Sequence, residues 1–228
     1  MICTNIHTIN KKITETALRC GRDPNEITLL AVSKRMDPAK IEEAFQCGQR
    51  CFGENFVQEA REKIEHFDSS IAWHFIGHLQ SNKAMQAARL FTLIETVDRL
   101  KTARALNRYA TEQDKYLDIL IQVNVGLESQ KSGIKPQDGE QFMKDLAPLH
   151  NLRIKGLMTM PPYSPDPEKS RPHFRVLKQM ATEFQEKGFF ADNTSVVLSM
   201  GMTSDYIVAI EEGATLVRVG TGIFGKRT

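Results

Sequence analysis

The sequence predicts a closed (β/α)₈ barrel of the TIM type, preceded by one extra N-terminal helix. Short apolar segments alternate with amphipathic segments along the chain, and eight strand-like segments can be recognised. Apolar runs such as residues 119–125 are typical of parallel strands covered by helices, because parallel strands need long crossover connections. A chain of 228 residues with 41% hydrophobic residues and no Gly/Ser-rich linker predicts one domain, residues 1–228.

The chain opens with the extra helix and the first strand–helix unit. The helix is indicated by apolar side chains at helical spacing: Ile6, Ile9, Ile13 and Ala17. Gly21 follows as its cap. Residues 28–33 form an apolar, β-branched run that predicts a buried strand. Asp37 and Pro38 supply an N-cap and a first helical residue, and Gly48 ends the helix that they begin.

The same order of strand, short loop and helix then repeats. The remaining predicted strands are residues 50–53, 72–77, 92–97, 117–125, 153–160, 195–200 and 215–220. The helices predicted between them are residues 54–65, 79–90, 99–112, 137–149, 170–187 and 203–212, with a turn after the last strand. Eight such units favour a closed barrel. An open doubly wound sheet is the alternative, although no Gly-x-Gly-x-x-Gly motif follows the first strand.

Composition and charge exclude several classes of protein. The 30 Lys and Arg against 28 Asp and Glu leave a net charge of +2 that is spread along the chain, so no nucleic-acid partner is expected. The N-terminus is polar and no run approaches about 18 apolar residues, so we expect a cytoplasmic protein without a membrane span. The four cysteines are expected to be reduced thiols: Cys3, Cys20, Cys47 and Cys51. Cys47 and Cys51 have the spacing of half a zinc site, but no second pair accompanies them, so no metal is expected.

Polar residues are concentrated where the predicted strands end. In a barrel of this type, the functional site lies at the carboxyl ends of the strands. The candidates at those ends are Lys34, Glu54, Asn55, His74, His78, Asn124, Ser199 and Arg218. Lys34 ends an apolar strand, where a partly dry barrel mouth disfavours the charged amine, so it is a candidate to form a Schiff base. Taken alone, an ordinary solvated lysine is the more common case.

The loops after strands seven and eight have the composition of a phosphate cradle. Residues 198–205 join a strand to a helix through a glycine and several hydroxyls, among them that of Ser199. A helix N-cap without a ligand is the alternative for this segment. Gly220 and Thr221 follow strand eight, where they allow close backbone approach and add a hydroxyl. An amine on one side of the mouth and a phosphate cradle on the other predict a cofactor that carries both an aldehyde and a phosphate.

Seven short motifs spread over the whole chain are distinctive. They are Ala31-Val32-Ser33-Lys34, Phe52-Gly53-Glu54-Asn55, Trp73-His74-Phe75-Ile76-Gly77, Leu79-Gln80-Ser81-Asn82-Lys83, Lys131-Ser132-Gly133, Gly156-Leu157-Met158 and Arg218-Val219-Gly220-Thr221. Together they resemble the pyridoxal phosphate homeostasis protein family. That family is similar to the N-terminal barrel of alanine racemase, so the resemblance implies a fold-type-III-like barrel that binds pyridoxal 5′-phosphate (PLP).

The resemblance also implies which residues hold the cofactor. Lys34 is implied as the PLP lysine and Arg218 as the neighbour of the pyridine nitrogen. The residues implied at the phosphate are Ser199, Gly220 and Thr221. The residues implied around the ring are Asn55, His74 and Met160. Many members of the family have a proline where this chain has His78. Lys131 either approaches the cofactor or is solvated.

The predicted function is that of a PLP-binding protein in vitamin B6 homeostasis. It would hold PLP as a Schiff base and deliver it to apo PLP-dependent enzymes, as a monomer or weak dimer and without substantial turnover. Arg218 would leave the pyridine nitrogen unprotonated and so weaken the ring as an electron sink. Only three residues follow Gly225, so the second domain that supplies the tyrosine base of alanine racemase is not expected. The alternatives are a PLP-dependent amino-acid racemase or lyase, and a sugar-phosphate aldolase in which Lys34 attacks a substrate carbonyl.

Overall fold

Eight parallel strands close into a barrel in chain order in the computed structural model, which describes residues 1–67 and 70–225. The strands are β1 (Thr28–Val32), β2 (Cys51–Glu54), β3 (Ala72–Phe75), β4 (Leu93–Val97), β5 (Leu117–Val123), β6 (Leu152–Thr159), β7 (Val197–Ser199) and β8 (Leu216–Val219). β8 pairs with β1 in a register that runs from Thr28 opposite Leu216 to Ala31 opposite Val219. This pairing closes the barrel and confirms the predicted fold.

Helices surround the barrel. They are α1 (Ile2–Arg19), α2 (Pro38–Gln46), α3 (Val57–Ile64), α4 (Ala84–Leu90), α5 (Leu100–Glu112), α6 (Gly139–Leu146), α7 (Arg171–Glu186), α8 (Tyr206–Glu211) and α9 (Thr221–Phe224). Asp37 caps α2 as predicted, since its side chain accepts a 2.8 Å hydrogen bond from the amide of Ala39. Within the described ranges, no helix has both the length and the apolarity needed to cross a membrane.

Several predicted helices are shorter than expected because 3₁₀ turns replace their first turns. The predicted helix 79–90 begins with a 3₁₀ turn at Ser81–Lys83 before α4, and the predicted helix 137–149 has one at Pro136–Asp138 before α6. Pro136 lacks the amide hydrogen of an interior helical residue, which suits it to the start of such a turn. The strand order and the placement of the loops are unaffected.

The extra helix α1 packs against the end of the barrel chain. Its buried residues are Ile2, Ile6, Ile9, Ile13, Thr16 and Ala17. The helix contacts α2, α8 and α9. The side-chain amide of Asn5 donates a 2.8 Å hydrogen bond to the carbonyl of Ile223 in α9. The first and last helices of the described chain are therefore direct neighbours.

Alternation along the strands separates two layers of buried side chains. Phe52 and Phe75 point outward into the large apolar layer between strands and helices. Leu30 belongs to a smaller cluster inside the barrel. Gly53 faces the same interior, because a Cβ there would lie 2.4 Å from Leu30 Cδ2. The interior also holds buried polar and charged side chains, which become important below: His74, Glu95, Gln122, Ser199 and Arg218. Glu54 is also buried, but it follows Phe52 by two residues and faces outward, where it contacts Lys63 of α3.

The prediction of reduced thiols is wrong for one pair of cysteines. Cys3 at the start of α1 and Cys47 at the end of α2 form a disulfide, with their Cα atoms 5.3 Å apart. The pairing arises because α1 packs on α2, a contact between distant segments that cysteine spacing does not reveal. Cys20 and Cys51 are free thiols, the first exposed and the second buried.

Candidate functional site

A cavity of about 810 Å³ lies at the carboxyl ends of the barrel strands. Its walls come from the loops after the strands, as expected for a site in this fold. Six of the eight predicted site residues line it: Lys34, Asn55, Met160, Arg218, Gly220 and Thr221. The other two, His74 and Ser199, are buried in the barrel and are not among the lining residues.

Lys34 lies in the tight turn that follows β1. The turn is closed by a 3.0 Å hydrogen bond from the amide of Met36 to the carbonyl of Ser33. Ser33 is fully buried, and its amide donates a 3.0 Å bond to the carbonyl of Gly53 on β2. Arg35 has a φ of 59°, in the left-handed region that is uncommon for residues other than glycine. The backbone on both sides of the half-buried Lys34 is thus constrained by its neighbours.

A buried ionic cluster lies directly behind this turn. Lys63 on α3 donates hydrogen bonds of 2.8 Å to Glu54 Oε1 and 2.6 Å to Glu59 Oε1. Burial raises the pKa of Glu54 above its ordinary value, against the lowering effect of Lys63 and Ser33. The second oxygen of Glu54, Oε2, is buried without a hydrogen-bond partner among the described residues.

Asn55 brings an unsatisfied polar atom to the cavity wall. It follows β2 and lines the cavity, and its Oδ1 is buried without a partner in the described part of the chain. A buried polar atom without a partner is costly, and such atoms are usually satisfied by a ligand or by water. Asn55 therefore marks a point where a bound group with a donor would be stabilised.

The wall formed by the β7 and β8 loops carries hydroxyls and backbone. It contains Met202, Thr203, Ser204, Gly220 and Thr221. The hydroxyl of Thr221 lies 3.4 Å from that of Thr203, so the two loops place their hydroxyls side by side. Asp205 fixes the first loop by accepting a 2.7 Å hydrogen bond from the amide of Met202. Uncharged donors thus dominate this wall.

Arg218 joins this wall to a hydrogen-bonded column inside the barrel. Its guanidinium donates to the Ser199 hydroxyl and, at 2.7 Å, to the carbonyl of Thr159. Ser199 in turn donates a 2.5 Å bond to Glu95 Oε2, and His74 Nδ1 lies 2.7 Å from Glu95 Oε1. We call Arg218, Ser199, Glu95 and His74 the interior column. The hydrogen bonds of the interior column hold the guanidinium of Arg218, which lines the cavity.

The charges of the interior column stabilise one another. Burial raises the pKa of Glu95, but the hydrogen bond and charge of His74 and the charge of Arg218 outweigh it, so the pKa is lowered. Burial lowers the pKa of His74, but the Cys51 thiol and Glu95 act more strongly and raise the pKa to about 10. Burial lowers the pKa of Arg218 despite the opposing charge of Glu95. Glu95 therefore carries its charge between two cations at neutral pH.

The column shows where the two remaining predicted residues lie. Ser199 is 0% exposed and its hydroxyl is occupied by Glu95 and Arg218, whereas Thr203 and Thr221 face the cavity. His74 is 8% exposed and is bonded to Glu95. Contact of these two side chains with a cofactor stays a prediction. Both contribute to holding Arg218 in place.

The opposite wall is formed by the loops after β3, β4 and β5. His78 lines it and lies 3.1 Å from both the Ser132 hydroxyl and Arg99 Nη2. Lys131 also lines the cavity, pairs with Glu128, and donates a 3.0 Å bond to the carbonyl of Pro161. Lys131 is therefore tied to the loop that carries Met160. Residues 160–166 form a loop without helix or strand, and Pro167 begins a 3₁₀ turn.

Some site residues carried no decisive sequence signal. Thr203 and Ser204 lie in the predicted cradle but were not separated from Ser199, since all three are hydroxyls of one segment. Glu95 is a single acidic residue within the apolar strand β4, a signal that could have marked it. Lys63 lies on a helix among other charged residues, and nothing in the local pattern distinguishes it.

Comparisons with known proteins agree with this geometry. A family profile described as "Alanine racemase, N-terminal domain" matches residues 17–228. The pyridoxal phosphate homeostasis protein of Escherichia coli (strain K12) is 43% identical, covering 99% of this chain and 97% of that protein. The protein of the same name from Aquifex aeolicus (strain VF5) is 40% identical, covering 99% of this chain and 98% of that one.

A solved structure with bound cofactor is also similar. PipY of Synechococcus elongatus PCC7942, with PLP bound, has a TM-score of 0.82 and 33% identity, covering 99% of this chain and 100% of that chain. The relatives match at nearly full length, and the barrel places the predicted lysine at the cavity. The chain therefore belongs to the pyridoxal phosphate homeostasis protein family.

Proposed function

We propose that this chain binds PLP in the cavity as a Schiff base on Lys34 and serves in intracellular PLP homeostasis. The observation that carries the proposal is the arrangement of the cavity, where Lys34 and the hydroxyl-bearing β7 and β8 loops line the same space. The name of the relatives and the PLP-bound relative support it. We infer that residues 1–228 act as one domain, since all eight strands belong to one barrel.

The residues at the cavity fit the two ends of the cofactor. PLP supplies an aldehyde, which condenses with an amine with loss of water, and a phosphate. Lys34 provides the amine. Thr203, Ser204 and Thr221 provide hydroxyl donors, and Gly220 allows close backbone approach, so this wall suits the phosphate. The ring of the cofactor would then contact Asn55, whose side-chain oxygen is unsatisfied, and Met160.

Arg218 supports a binding role over an efficient catalytic one. Its guanidinium is held by Ser199 and Thr159, and the charge of Glu95 lies nearby, so it presents a fixed cation to the cavity. Near the pyridine nitrogen this cation would act only as a donor and leave that nitrogen unprotonated. The ring would then accept electrons poorly, which disfavours the racemase and lyase alternatives. We expect turnover of alanine far below the ordinary enzymatic range of about 1–10³ s⁻¹, measured by chiral chromatography.

Delivery of PLP to apo PLP-dependent enzymes requires that the cofactor be reachable from outside. Tyr163 is 84% exposed and Met160 is 36% exposed, and both line the cavity, so its mouth opens to solvent. An incoming amine could therefore approach Lys34 without unfolding of the barrel. We propose such enzymes as acceptors, with the protein acting as a monomer or weak dimer.

Borohydride reduction tests the proposal. Wild-type protein incubated with PLP should absorb visible light, and reduction followed by peptide mass mapping should place the label on Lys34. Lys34→Ala should lose both the absorbance and the label, because the variant lacks the amine that forms the bond. Lys83→Ala is the control, since Lys83 is absent from the cavity wall and should leave both signals intact. A label that remains on another lysine in Lys34→Ala, with unchanged absorbance, would show that the site assignment is wrong.

A further inference from the structure

Lys63 is a buried lysine that lies outside the cavity wall. It lies on α3 and is 5% exposed, and among the described residues its ammonium donates hydrogen bonds to Ser33, Glu54 and Glu59. Besides its bonds to Glu54 and Glu59, its ammonium donates a 2.7 Å hydrogen bond to the carbonyl of Ser33. A buried ammonium is costly to desolvate and is kept only where its partners compensate.

The partners of Lys63 reach both chain neighbours of Lys34. On one side, the carbonyl of Ser33 accepts from Lys63, and the Ser33 hydroxyl donates a 2.7 Å bond to Glu54. On the other side, Glu59 accepts from the amide of Arg35 as well as from Lys63. The amide of Arg35 belongs to the residue with φ of 59°, so this bond stabilises a backbone conformation that is otherwise disfavoured.

We propose that Lys63 is a positioning residue for Lys34: together with Glu59 it fixes the backbone on both sides of Lys34 and so sets the direction from which the amine enters the cavity. The inference rests on the proposed function, in which Lys34 carries PLP. The three charged residues that form the brace are Glu54, Glu59 and Lys63.

The brace acts through preorganisation. Bond formation at Lys34 requires its amine to meet the aldehyde at the correct distance and angle while the phosphate is held by the far wall. A turn that is already fixed loses little conformational freedom when the bond forms. Without Lys63, the carbonyl of Ser33 keeps only the donor from Met36, and Glu59 loses the partner that orients it toward Arg35. The turn could then relax, and the amine would reach the aldehyde less often.

A pair of ligands separates positioning of the amine from general damage to the site. PLP can bond to Lys34, whereas 4′-deoxypyridoxine 5′-phosphate carries a methyl group in place of the aldehyde and depends on the rest of the cavity alone. In Lys63→Met, which keeps the apolar stem and removes the ammonium, we expect PLP affinity to fall about 10- to 100-fold. Affinity for the analogue should change by less than about threefold. Both are measured by titration, with circular dichroism to verify folding.

Two further variants complete the test. Lys115→Met is the matched control, because Lys115 donates a 2.8 Å bond to the carbonyl of Ala88 near the opposite ends of the strands and should leave both affinities unchanged. Glu59→Ala removes the acceptor of the Arg35 amide at a partly exposed position, and it decides the question if Lys63→Met does not fold. We expect Glu59→Ala to lower the affinity for PLP and to leave the affinity for the analogue unchanged.

The results that would contradict the positioning role of Lys63 differ from those that would contradict the proposed function. Equal weakening of PLP and analogue would mean that the brace only supports the fold, and unchanged affinity for both would mean that it does not act on Lys34. Either result would overturn the positioning role while leaving a labelled Lys34 in the wild type. A wild type that gives no borohydride label on Lys34 would instead contradict the proposed function.

Discussion

Glu54 and Glu95 are two equally buried glutamates with opposite acid–base behaviour. Each lies on a barrel strand, and each is 0% exposed. The pKa of Glu54 is raised above its ordinary value, mainly by burial, whereas the pKa of Glu95 is lowered. Burial is the largest single influence on both, so burial cannot explain the difference.

The difference comes from the number of partners. Glu95 accepts from His74 and Ser199 with separate oxygens, and it lies 3.9 Å from Arg218. In Glu54, Oε1 accepts both hydrogen bonds and Oε2 has no partner among the described residues. Its lysine, Lys63, also bonds to Glu59. For these two buried carboxylates, the charged form is therefore favoured where each oxygen has a donor and the nearby charges are positive.

The largest expected effect is on the well-partnered glutamate. Glu95→Gln removes the carboxylate that His74 and Arg218 share, and breaking a buried pair in this way costs about 3–5 kcal/mol of unfolding free energy. Urea denaturation followed by circular dichroism measures it. A loss below about 1 kcal/mol would mean that the interior column does not depend on the charge of Glu95.

Per pH unit, a smaller effect is expected at alkaline pH through His74. Its pKa is raised from 6.5 to about 10, so the stability from the protonated ring is complete below pH 6.5 and is lost as the pH rises through about 10. The free energy of unfolding should fall by up to about 1.4 kcal/mol per pH unit in that window. His74→Gln should remove this slope, and His150→Gln, at an exposed position, should keep it. The same slope in wild type and His74→Gln would assign it to another group.

The smallest effect is expected at the poorly partnered glutamate. The raised pKa of Glu54 means that its ionisation weakens the folded state as the pH rises above the ordinary value of 4.5. Glu54→Gln removes that cost and keeps an oxygen for Lys63 and Ser33. We expect the free energy of unfolding to change by less than about 1 kcal/mol at neutral pH. If Glu54→Gln is as damaging as Glu95→Gln under the same urea protocol, the contrast between the two sites is not one of partner number.

The strand order, the extra helix and the location of the cavity were all predictable from the sequence. Apolar periodicity distinguishes strands from helices, and parallel strands place their carboxyl ends at one face, so Lys34, Asn55 and Arg218 had to lie near one another once the barrel closed. The exact ends of helices were less predictable, because 3₁₀ turns such as Ser81–Lys83 depend on local hydrogen bonds.

The interior of the site was not predictable in the same way. Whether a strand residue faces the interior follows from alternation, but its depth below the cavity depends on the tilt and register of all strands together. For this reason Ser199 and Thr203, both hydroxyls of one predicted cradle, have different surroundings. The brace and the disulfide join residues that are distant or unremarkable in the sequence, and only the packing of helices on the barrel brings them together.

The contact between the first and last helices links α1 to the proposed phosphate wall. α9 begins at Thr221 on the cavity wall, and Asn5 of α1 holds the carbonyl of Ile223 two residues further along. The alanine racemase N-terminal domain profile starts at residue 17, so most of α1 precedes the matched region. A helix that precedes the matched profile thus supports the proposed phosphate wall. Truncation at residue 17 would remove the Asn5 contact with α9, and we expect it to weaken binding of the ligand's phosphate even in a barrel that still closed.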